Sequence, residues 1–212
     1  MGTRGIPLVT EDLEKYERIK QLERLGQNVP LLMRIPCGTK FDKKLERELL
    51  QFAGDRRLMT VRTYAPFEEK LRGGGPFFPE IPVRKAIARV RELLPHYHVL
   101  FQEAIDVKKT KMVGRTLFNP SGRNTHEVLR GRVRVRDIDN PPPRKRLEVQ
   151  FFSTPEDVKD PEIRAVTERI NRIPLALGEA MPVIAEWNLQ LPSDPVGVRH
   201  DPLIVWEWRP GT

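Results

Sequence analysis

The sequence is poor in cysteine and has no long apolar runs. It contains 212 residues and a single cysteine, Cys37, so no disulfide can form within the chain and a reducing compartment is expected. No apolar stretch approaches the roughly 20 residues that a membrane-spanning helix needs. Residues 1–30 carry charges every few positions and lack the apolar segment of a secretory signal. These absences predict a cytoplasmic protein without a membrane partner.

The motifs of several common enzyme classes are also missing. The sequence contains neither GxxxxGK[ST] nor GxGxxG, which excludes a P-loop and a dinucleotide-binding fingerprint. It contains no GxSxG, which excludes the nucleophile elbow of the α/β-hydrolases. A single cysteine excludes a cysteine-based zinc knuckle.

What the chain does have is positive charge and an ordinary hydrophobic content. Hydrophobic residues make up 39% and charged residues 31% of the chain, which is typical of a folded protein. The 37 Lys+Arg exceed the 29 Asp+Glu and give a net charge of +8. That excess favours an anionic partner such as nucleic acid, a phosphorylated metabolite or ATP. The alternative, equally open, is the charge-rich surface of a heat-adapted protein.

The order of the predicted elements indicates an α+β fold. Apolar residues at helical spacing predict four helices, over residues 11–25, 42–52, 83–94 and 156–173. Short apolar or alternating segments between and after them predict largely antiparallel strands. The segment Lys70–Pro82 contains three glycines and three prolines and is predicted to be a loop.

Basic residues concentrate in one part of the second half. Val133 and Val135 alternate with arginines, which predicts a strand with one basic face. A polyproline-like loop with more basic residues follows. The basic residues are Arg132, Arg134, Arg136, Arg144, Lys145 and Arg146. Such a patch could follow a nucleic-acid backbone; the alternative is an ordinary solvated strand face.

Two glutamates interrupt the last two apolar strands. Glu186 lies in VIAEWNL and Glu207 in LIVWEWRP, and a buried carboxylate is costly unless it is paired, exposed or bound to a cation. If the strands are antiparallel neighbours, both carboxylates can share a face and hold Mg²⁺ against phosphates. Arg209 points the same way as Glu207 and could neutralise a terminal phosphate. The alternative is a pair of solvent-facing carboxylates, or an ion pair with Arg209 that only supports the structure.

Short segments in a fixed order resemble a known family. They lie between about residue 22 and residue 210 and read LERLGQNVPLLMRI, LMTVRTYAP, HVLFQEAI, NPSGRNTHEVLRGRV, MPVIAEW and VWEWRP. In this order they resemble a shortened nucleotide-binding domain of the phosphoenolpyruvate synthase and pyruvate phosphate dikinase type, within the ATP-grasp fold. The resemblance implies two packed lobes. Residues 1–97 would form an N-terminal lobe with the Gly-rich loop, and residues 98–212 an ATP-grasp-like C-terminal lobe.

The resemblance also implies roles for individual residues. Arg62 matches an arginine that contacts nucleotide phosphates, and Arg209 matches the arginine of the closing motif. Gln102 and Glu103 fall on the hinge strand beside adenine. The three remaining matches are glutamates: Glu127 at the nucleotide, Glu186 at the metal, and Glu207 where the family has glutamine. The implied cofactors are ATP and Mg²⁺, and the implied chemistry is phosphoryl transfer through positioning and charge neutralisation.

Two departures from the family leave a second interpretation open. The phosphate-contacting lysine of the family's GGKG segment has no counterpart before Leu22, and Ile184 occupies the place of an acidic residue. No phosphohistidine domain follows, so a separate phosphohistidine-domain protein is a candidate partner for an active enzyme. The alternative is a non-catalytic scaffold that binds nucleic acid or a larger assembly through its basic residues.

Overall fold

The computed structural model describes residues 11–64, 75–120, 122–177, 182–191 and 201–211. The α-helices of this part of the chain are α1 (Glu11–Arg24), α2 (Lys43–Ala53), α3 (Val83–Leu93), α4 (Pro161–Ile170) and α5 (Arg172–Leu177). The strands are β1 (Leu32–Ile35), β2 (Leu58–Tyr64), β3 (Phe77–Pro82), β4 (His98–Glu103), β5 (Thr110–Phe118), β6 (Asn124–Arg130), β7 (Glu148–Phe152), β8 (Val183–Gln190) and β9 (Leu203–Pro210). Two short 3-10 helices cover Val135–Ile138 and Pro155–Asp157.

The chain divides into two compact units. Unit 1 contains the start of α1 up to Glu17 and the segment Pro30–Ala104. Unit 2 contains Arg18–Val29 and the chain from Ile105 onward. The lobe boundary expected between residues 97 and 98 falls at the start of β4, which belongs to unit 1 as a whole.

Unit 1 is built on a four-stranded antiparallel sheet in the order β1-β4-β2-β3. One face of this sheet packs against α2 and α3, and its fully buried side chains include Val61 and Phe101. Helix α2 begins after Asp42, whose carboxylate accepts hydrogen bonds from the N–H groups of Lys44 and Leu45, both at 2.9 Å. It ends at Gly54, which has a positive φ of 54° and so favours glycine.

The prediction that Lys70–Pro82 is a loop is wrong for its last part. Phe77–Pro82 forms β3, which pairs antiparallel with β2. Prolines are tolerated there because β3 is an edge strand, where a missing N–H removes no ladder bond. Glu80 has a positive φ of 52°, and the register with β2 shifts at this point. Residues 70–74 of the segment lie outside the described residues.

Unit 2 is built on a five-stranded, entirely antiparallel sheet in the order β7-β6-β5-β8-β9. With the sheet of unit 1, this confirms the predicted α+β class. Helix α4 begins at Pro161, not at residue 156 as predicted. A residue that precedes proline is disfavoured in helical conformation, and Asp160 instead caps the helix by accepting from the N–H groups of Glu162 and Ile163.

The face of this sheet that contacts α4 holds a buried polar network. Trp187 Nε1 donates to Thr116 Oγ1 at 2.9 Å, and Thr116 also contacts His126 Nδ1 at 2.8 Å. His126 Nε2 lies 2.7 Å from Thr167 Oγ1 on α4. Position 114 is glycine because a Cβ there would overlap the Trp187 ring. The network fastens β5, β6 and β8 to one another and to the helix.

Candidate functional site

Four charged side chains form a row across the opposite face of the unit 2 sheet. Glu127 on β6 is aligned with Arg115 on β5, Arg115 with Glu186 on β8, and Glu186 with Glu207 on β9. Directly aligned residues of neighbouring strands project from the same face. The strands that carry Glu186 and Glu207 are antiparallel neighbours, which was the condition for the two carboxylates to share a face. We call these four residues the charged row.

The charged row faces away from α4 because it alternates with the buried network. Thr116, His126 and Trp187 each follow a member of the row or precede it by one position along the strand, so their side chains point to the other face. His126 and Trp187 are fully buried. Buried side chains on the α4 face of the sheet therefore lie directly behind the charged row.

Arg115 lies at the centre of the row and binds two carboxylates. Its Nε donates to Glu127 Oε2 and its Nη1 to Asp139 Oδ1, both at 2.6 Å. Burial alone would lower the pKa of the Arg115 guanidinium, but the hydrogen bonds to Glu127 and Asp139 outweigh it and the pKa is raised. The cation is therefore permanent and separates the negative charge of Glu127 from that of Glu186.

Glu186, Glu207 and Arg209 form the other end of the row. Arg209 Nη2 lies 3.7 Å from Glu186 Oε1, a loose ion pair between partly exposed groups. Within the described residues, no cluster of three or more His, Cys, Asp or Glu side chains could hold a metal ion. The chemistry of Glu186 and Glu207 fits a partly filled Mg²⁺ shell, because Mg²⁺ in nucleotide sites commonly takes one or two carboxylates and completes its octahedron with phosphate and water.

In unit 1, Arg62 and Gln102 share the sheet face opposite α2 and α3. Arg62 is aligned with Leu100, and Gln102 with Thr60, so both point away from the buried Val61 and Phe101. The Arg62 guanidinium lies over the Phe77 ring at 4.6 Å. Among the described residues, two buried polar atoms of this face have no hydrogen-bond partner: Arg62 Nε and Gln102 Oε1.

Glu103 is engaged within the sheet. Its Oε2 accepts from the Leu31 N–H at 3.1 Å, and its own N–H donates to the Leu31 carbonyl at 2.9 Å. Its Oε1 lies 3.3 Å from Arg56 Nε, an ion pair whose geometry does not align a hydrogen bond. These contacts tie β4 to the start of β1 and stabilise the edge of unit 1.

The predicted basic strand over residues 132–136 is wrong. Val133 and Val135 are buried, as the alternation indicated, but the segment is irregular and then forms the 3-10 helix Val135–Ile138. Asp137 stabilises that turn by accepting from the Arg134 N–H at 2.7 Å. The other basic side chains of the patch are exposed: Arg132, Arg136, Arg144, Lys145 and Arg146. Of these, Lys145 donates to the Arg130 carbonyl at 3.0 Å.

Sequence reasoning did not find Arg115, Asp139 or His126. Arg115 gives the same signal as Glu186, a charge inside an apolar strand, KMVGRTLF, and could have been found by it. Asp139 follows a 3-10 helix that carries no periodic signal. His126 becomes important only through its partners on β5 and α4.

Among comparisons with known proteins, only the solved structures give matches. No protein-family model matches the sequence, and no curated protein matches it significantly. Solved structures do. The macrocyclase MdnC of Microcystis aeruginosa MRC, bound with precursor peptide MdnA, aligns with 92% of this chain and 52% of its own, at TM-score 0.51 and 12% identity. N5-carboxyaminoimidazole synthetase of Staphylococcus aureus, complexed with ADP, aligns with 93% and 44%, at 0.52 and 12%.

A third similar structure is D-alanine–D-alanine ligase of Bacillus anthracis, complexed with ATP. It aligns with 92% of this chain and 54% of its own, at TM-score 0.52 and 12% identity. All three are ATP-grasp enzymes. The chain has the ATP-grasp fold. It spans about half the length of these ATP-grasp proteins. In its described residues, no helix is long and apolar enough to cross a bilayer.

Proposed function

We propose that this ATP-grasp chain binds ATP with Mg²⁺ and uses it for an ATP-dependent ligation. The observation that carries the proposal is the alignment of Glu186 with Glu207 on one sheet face, with Arg209 beside them. The ligase and synthetase names of the similar structures, and the ATP or ADP bound in two of them, support it. None of the three similar structures described above is a phosphoenolpyruvate synthase or a dikinase, so ligation is favoured over a dikinase reaction.

The charged row gives each proposed role a physical basis. Glu186 and Glu207 hold the metal, because two adjacent carboxylates satisfy part of its shell and leave the rest to phosphate oxygens. Bound Mg²⁺ supplies neutralisation of phosphate charge. Arg209 holds a phosphate, which replaces its loose contact with Glu186 by a charge-assisted hydrogen bond. Arg115 holds Glu127 through its 2.6 Å bond, on the strand that lies between Glu127 and Glu186.

Two residues of unit 1, taken by themselves, are also proposed as nucleotide contacts. Arg62 Nε is a buried donor without a partner and suits a phosphate oxygen. Gln102 Oε1 is a buried acceptor without a partner and suits the exocyclic amine of adenine. Because the Glu103 N–H is already used by the Leu31 carbonyl, we assign base recognition to Gln102 first. Glu127 contributes through Arg115 rather than by direct contact.

Calorimetric titration with a non-hydrolysable ATP analogue tests the proposal. The wild-type protein is expected to bind the analogue more tightly with Mg²⁺ than without it. Glu186→Gln is expected to remove the Mg²⁺-dependent gain, whereas the exposed Glu168→Gln on α4 should bind like the wild type. If the wild type fails to bind the analogue at millimolar concentration, the proposed function is wrong.

A second candidate function is nucleic-acid binding as a non-catalytic scaffold. The observation that favours it is that four arginines within residues 132–146 have exposed side chains. They are Arg132, Arg136, Arg144 and Arg146. Binding through them should weaken steeply with salt, and replacement of all four by glutamine should abolish it. Absent or salt-insensitive binding of single-stranded RNA and duplex DNA would remove this candidate.

A further inference from the structure

Strand β7 is an end strand of the unit 2 sheet and differs from the other end strands. It pairs with β6 along its whole length, from Glu148 to Phe152, without a register shift. In the described part of the chain, no strand pairs with its other side. An exposed strand edge presents unpaired N–H and C=O groups and is a template for pairing with another chain. Natural proteins usually protect such edges with prolines, lysines, bulges or very short strands.

The other three end strands carry these protections. Strand β9 contains a register shift opposite Glu186 and Trp187, ends in Arg209 and Pro210, and donates its Val205 N–H to the Asn28 carbonyl at 2.8 Å. Strand β3 contains two prolines and a bulge. Strand β1 is only four residues long. The sequence of β7, EVQFF, has neither proline nor lysine.

Strand β7 also exposes two large apolar side chains on one face. Val149 is 48% exposed and Phe151 is 62% exposed. Each is aligned with a residue of β6 that faces away from α4: Val149 with Glu127, and Phe151 with Thr125. The face of β7 that points toward α4 is instead occupied by the buried Phe152, which stacks on His126 at 4.3 Å. Strand β7 is therefore packed against the core on its α4 face and exposes apolar side chains on the opposite face.

The charges at the two ends of β7 are opposite in sign. Exposed Arg144 and Arg146 precede the strand, and exposed Glu156 and Asp157 follow it. When two copies of such a strand pair antiparallel, the basic end of one copy meets the acidic end of the other. Arg144 and Glu156 lie equally far along the chain from Gln150, the middle residue of β7. The edge is thus complementary to itself.

We propose that β7 is a homodimer interface at which two copies of this chain pair antiparallel around Gln150. In that register, Val149 of each copy lies opposite Phe151 of the other on the same face, and the two five-stranded sheets join into one. Apolar cross-strand pairs of this kind stabilise a sheet. The interface is isologous and closes at two copies, because the described part of each chain has one such edge and its β9 edge is protected.

Sedimentation equilibrium over about a hundredfold dilution range tests the proposal. The wild type is expected to be a dimer that dissociates on dilution, because a five-residue edge forms a small interface. The double variant Val149→Lys/Phe151→Lys should weaken the dimer at least about tenfold. The control Leu50→Lys/Leu175→Lys changes two apolar residues elsewhere that are 47% and 77% exposed, and it should dimerise like the wild type. A monomeric wild type, or a dimer that the β7 variant leaves unchanged, overturns the proposal.

Cysteine cross-linking gives a test that does not depend on the folding of the lysine variants. In a Cys37→Ser background, Gln150→Cys should form a disulfide-linked dimer under mild oxidation, because directly opposed residues of antiparallel strands are within disulfide reach. Leu175→Cys, on an exposed position of α5, should remain uncrosslinked at the same concentration. Equal cross-linking of both variants would contradict the register. Neither test depends on nucleotide binding, so the proposed function and the dimer fail separately.

Discussion

In unit 2, the charged groups at the centre of the sheet face opposite the helix are paired with one another, whereas in unit 1 two buried polar atoms of the face opposite the helices are left without partners. Arg115 binds Glu127 and Asp139 in hydrogen bonds of 2.6 Å. Arg62 Nε and Gln102 Oε1 are buried and have no hydrogen-bond partner among the described residues. In the proposed function, the paired charges are a preorganised site and the two unpaired atoms are groups for a ligand to complete. The four predictions below test this contrast, beginning with the largest effect.

The buried network behind the charged row should make the protein sensitive to acid. Burial lowers the pKa of His126 from 6.5 to about 4. The unfolded chain therefore takes up a proton at this histidine below pH 6.5 while the folded protein does not, and stability falls as the pH drops from 6.5 toward 4. The full contribution is about 3 kcal/mol.

Urea denaturation at a series of pH values measures this effect. The difference in the free energy of unfolding between wild type and His126→Gln should shrink as the pH falls from 7 to 4.5, because the variant lacks this titration. The comparison cancels the carboxylates that the two proteins share. A difference that stays constant with pH would show that His126 is not buried in its neutral form.

Replacing Arg115 should destabilise the free protein. Arg115→Met leaves Glu127 and Asp139 without their shared cation, and we expect a loss of about 1–3 kcal/mol in the free energy of unfolding. The matched control is Arg123→Met, an exposed arginine near the start of β6, for which the change should stay within about 0.5 kcal/mol. Equal effects of the two variants in urea denaturation would mean that the charged row is not preorganised.

Replacing Arg62 should weaken nucleotide binding and leave stability nearly unchanged. Arg62→Met is expected to lower the affinity for an ATP analogue about tenfold, or about 1.4 kcal/mol. Stability should change little, because the guanidinium loses mainly its contact with the Phe77 ring. Calorimetry and thermal unfolding of the same samples separate the two effects. Arg57→Met, an exposed position next to β2, is the control, and a stability loss without an affinity loss would contradict the assignment.

The smallest expected effect is at Gln102. Gln102→Met removes a buried acceptor without a partner, so the free protein should gain stability, by about 1 kcal/mol. The stabilisation conferred by the ATP analogue should shrink at the same time. Thermal unfolding with and without the analogue measures both. A variant that is less stable than the wild type would show that the amide is already satisfied in the free protein.

The parts of the candidate site that the sequence proposed are those with a local signal. Glu186 and Glu207 were proposed because each charge breaks an apolar strand, and the antiparallel pairing of these strands aligns them. The order of helices and strands predicted the α+β class for the same reason, because the spacing of apolar residues can be read from short stretches of sequence. The resemblance to a nucleotide-binding family predicted the ATP-grasp fold that the similar structures share.

The errors arose where tertiary contacts override local pattern. Val133 and Val135 alternate with arginines like a strand, but packing in the core of unit 2 and the Asp137 turn produce a 3-10 helix. Phe77–Pro82 looks like a loop by composition, yet pairing with β2 makes it a strand. The bonds of Arg115 and His126 join residues far apart in sequence, and no local spacing predicts them.

Binding of Mn²⁺, followed by electron paramagnetic resonance in the presence of a non-hydrolysable ATP analogue, tests the central claim most directly. Mn²⁺ takes the oxygen ligands that Mg²⁺ takes, and its signal reports the bound fraction. The account predicts that the wild type binds Mn²⁺ only when the analogue is present, and that Glu186→Gln/Glu207→Gln abolishes Mn²⁺ binding while metal-free binding of the analogue persists. Nucleotide-dependent Mn²⁺ binding that is unchanged in the double variant would contradict it.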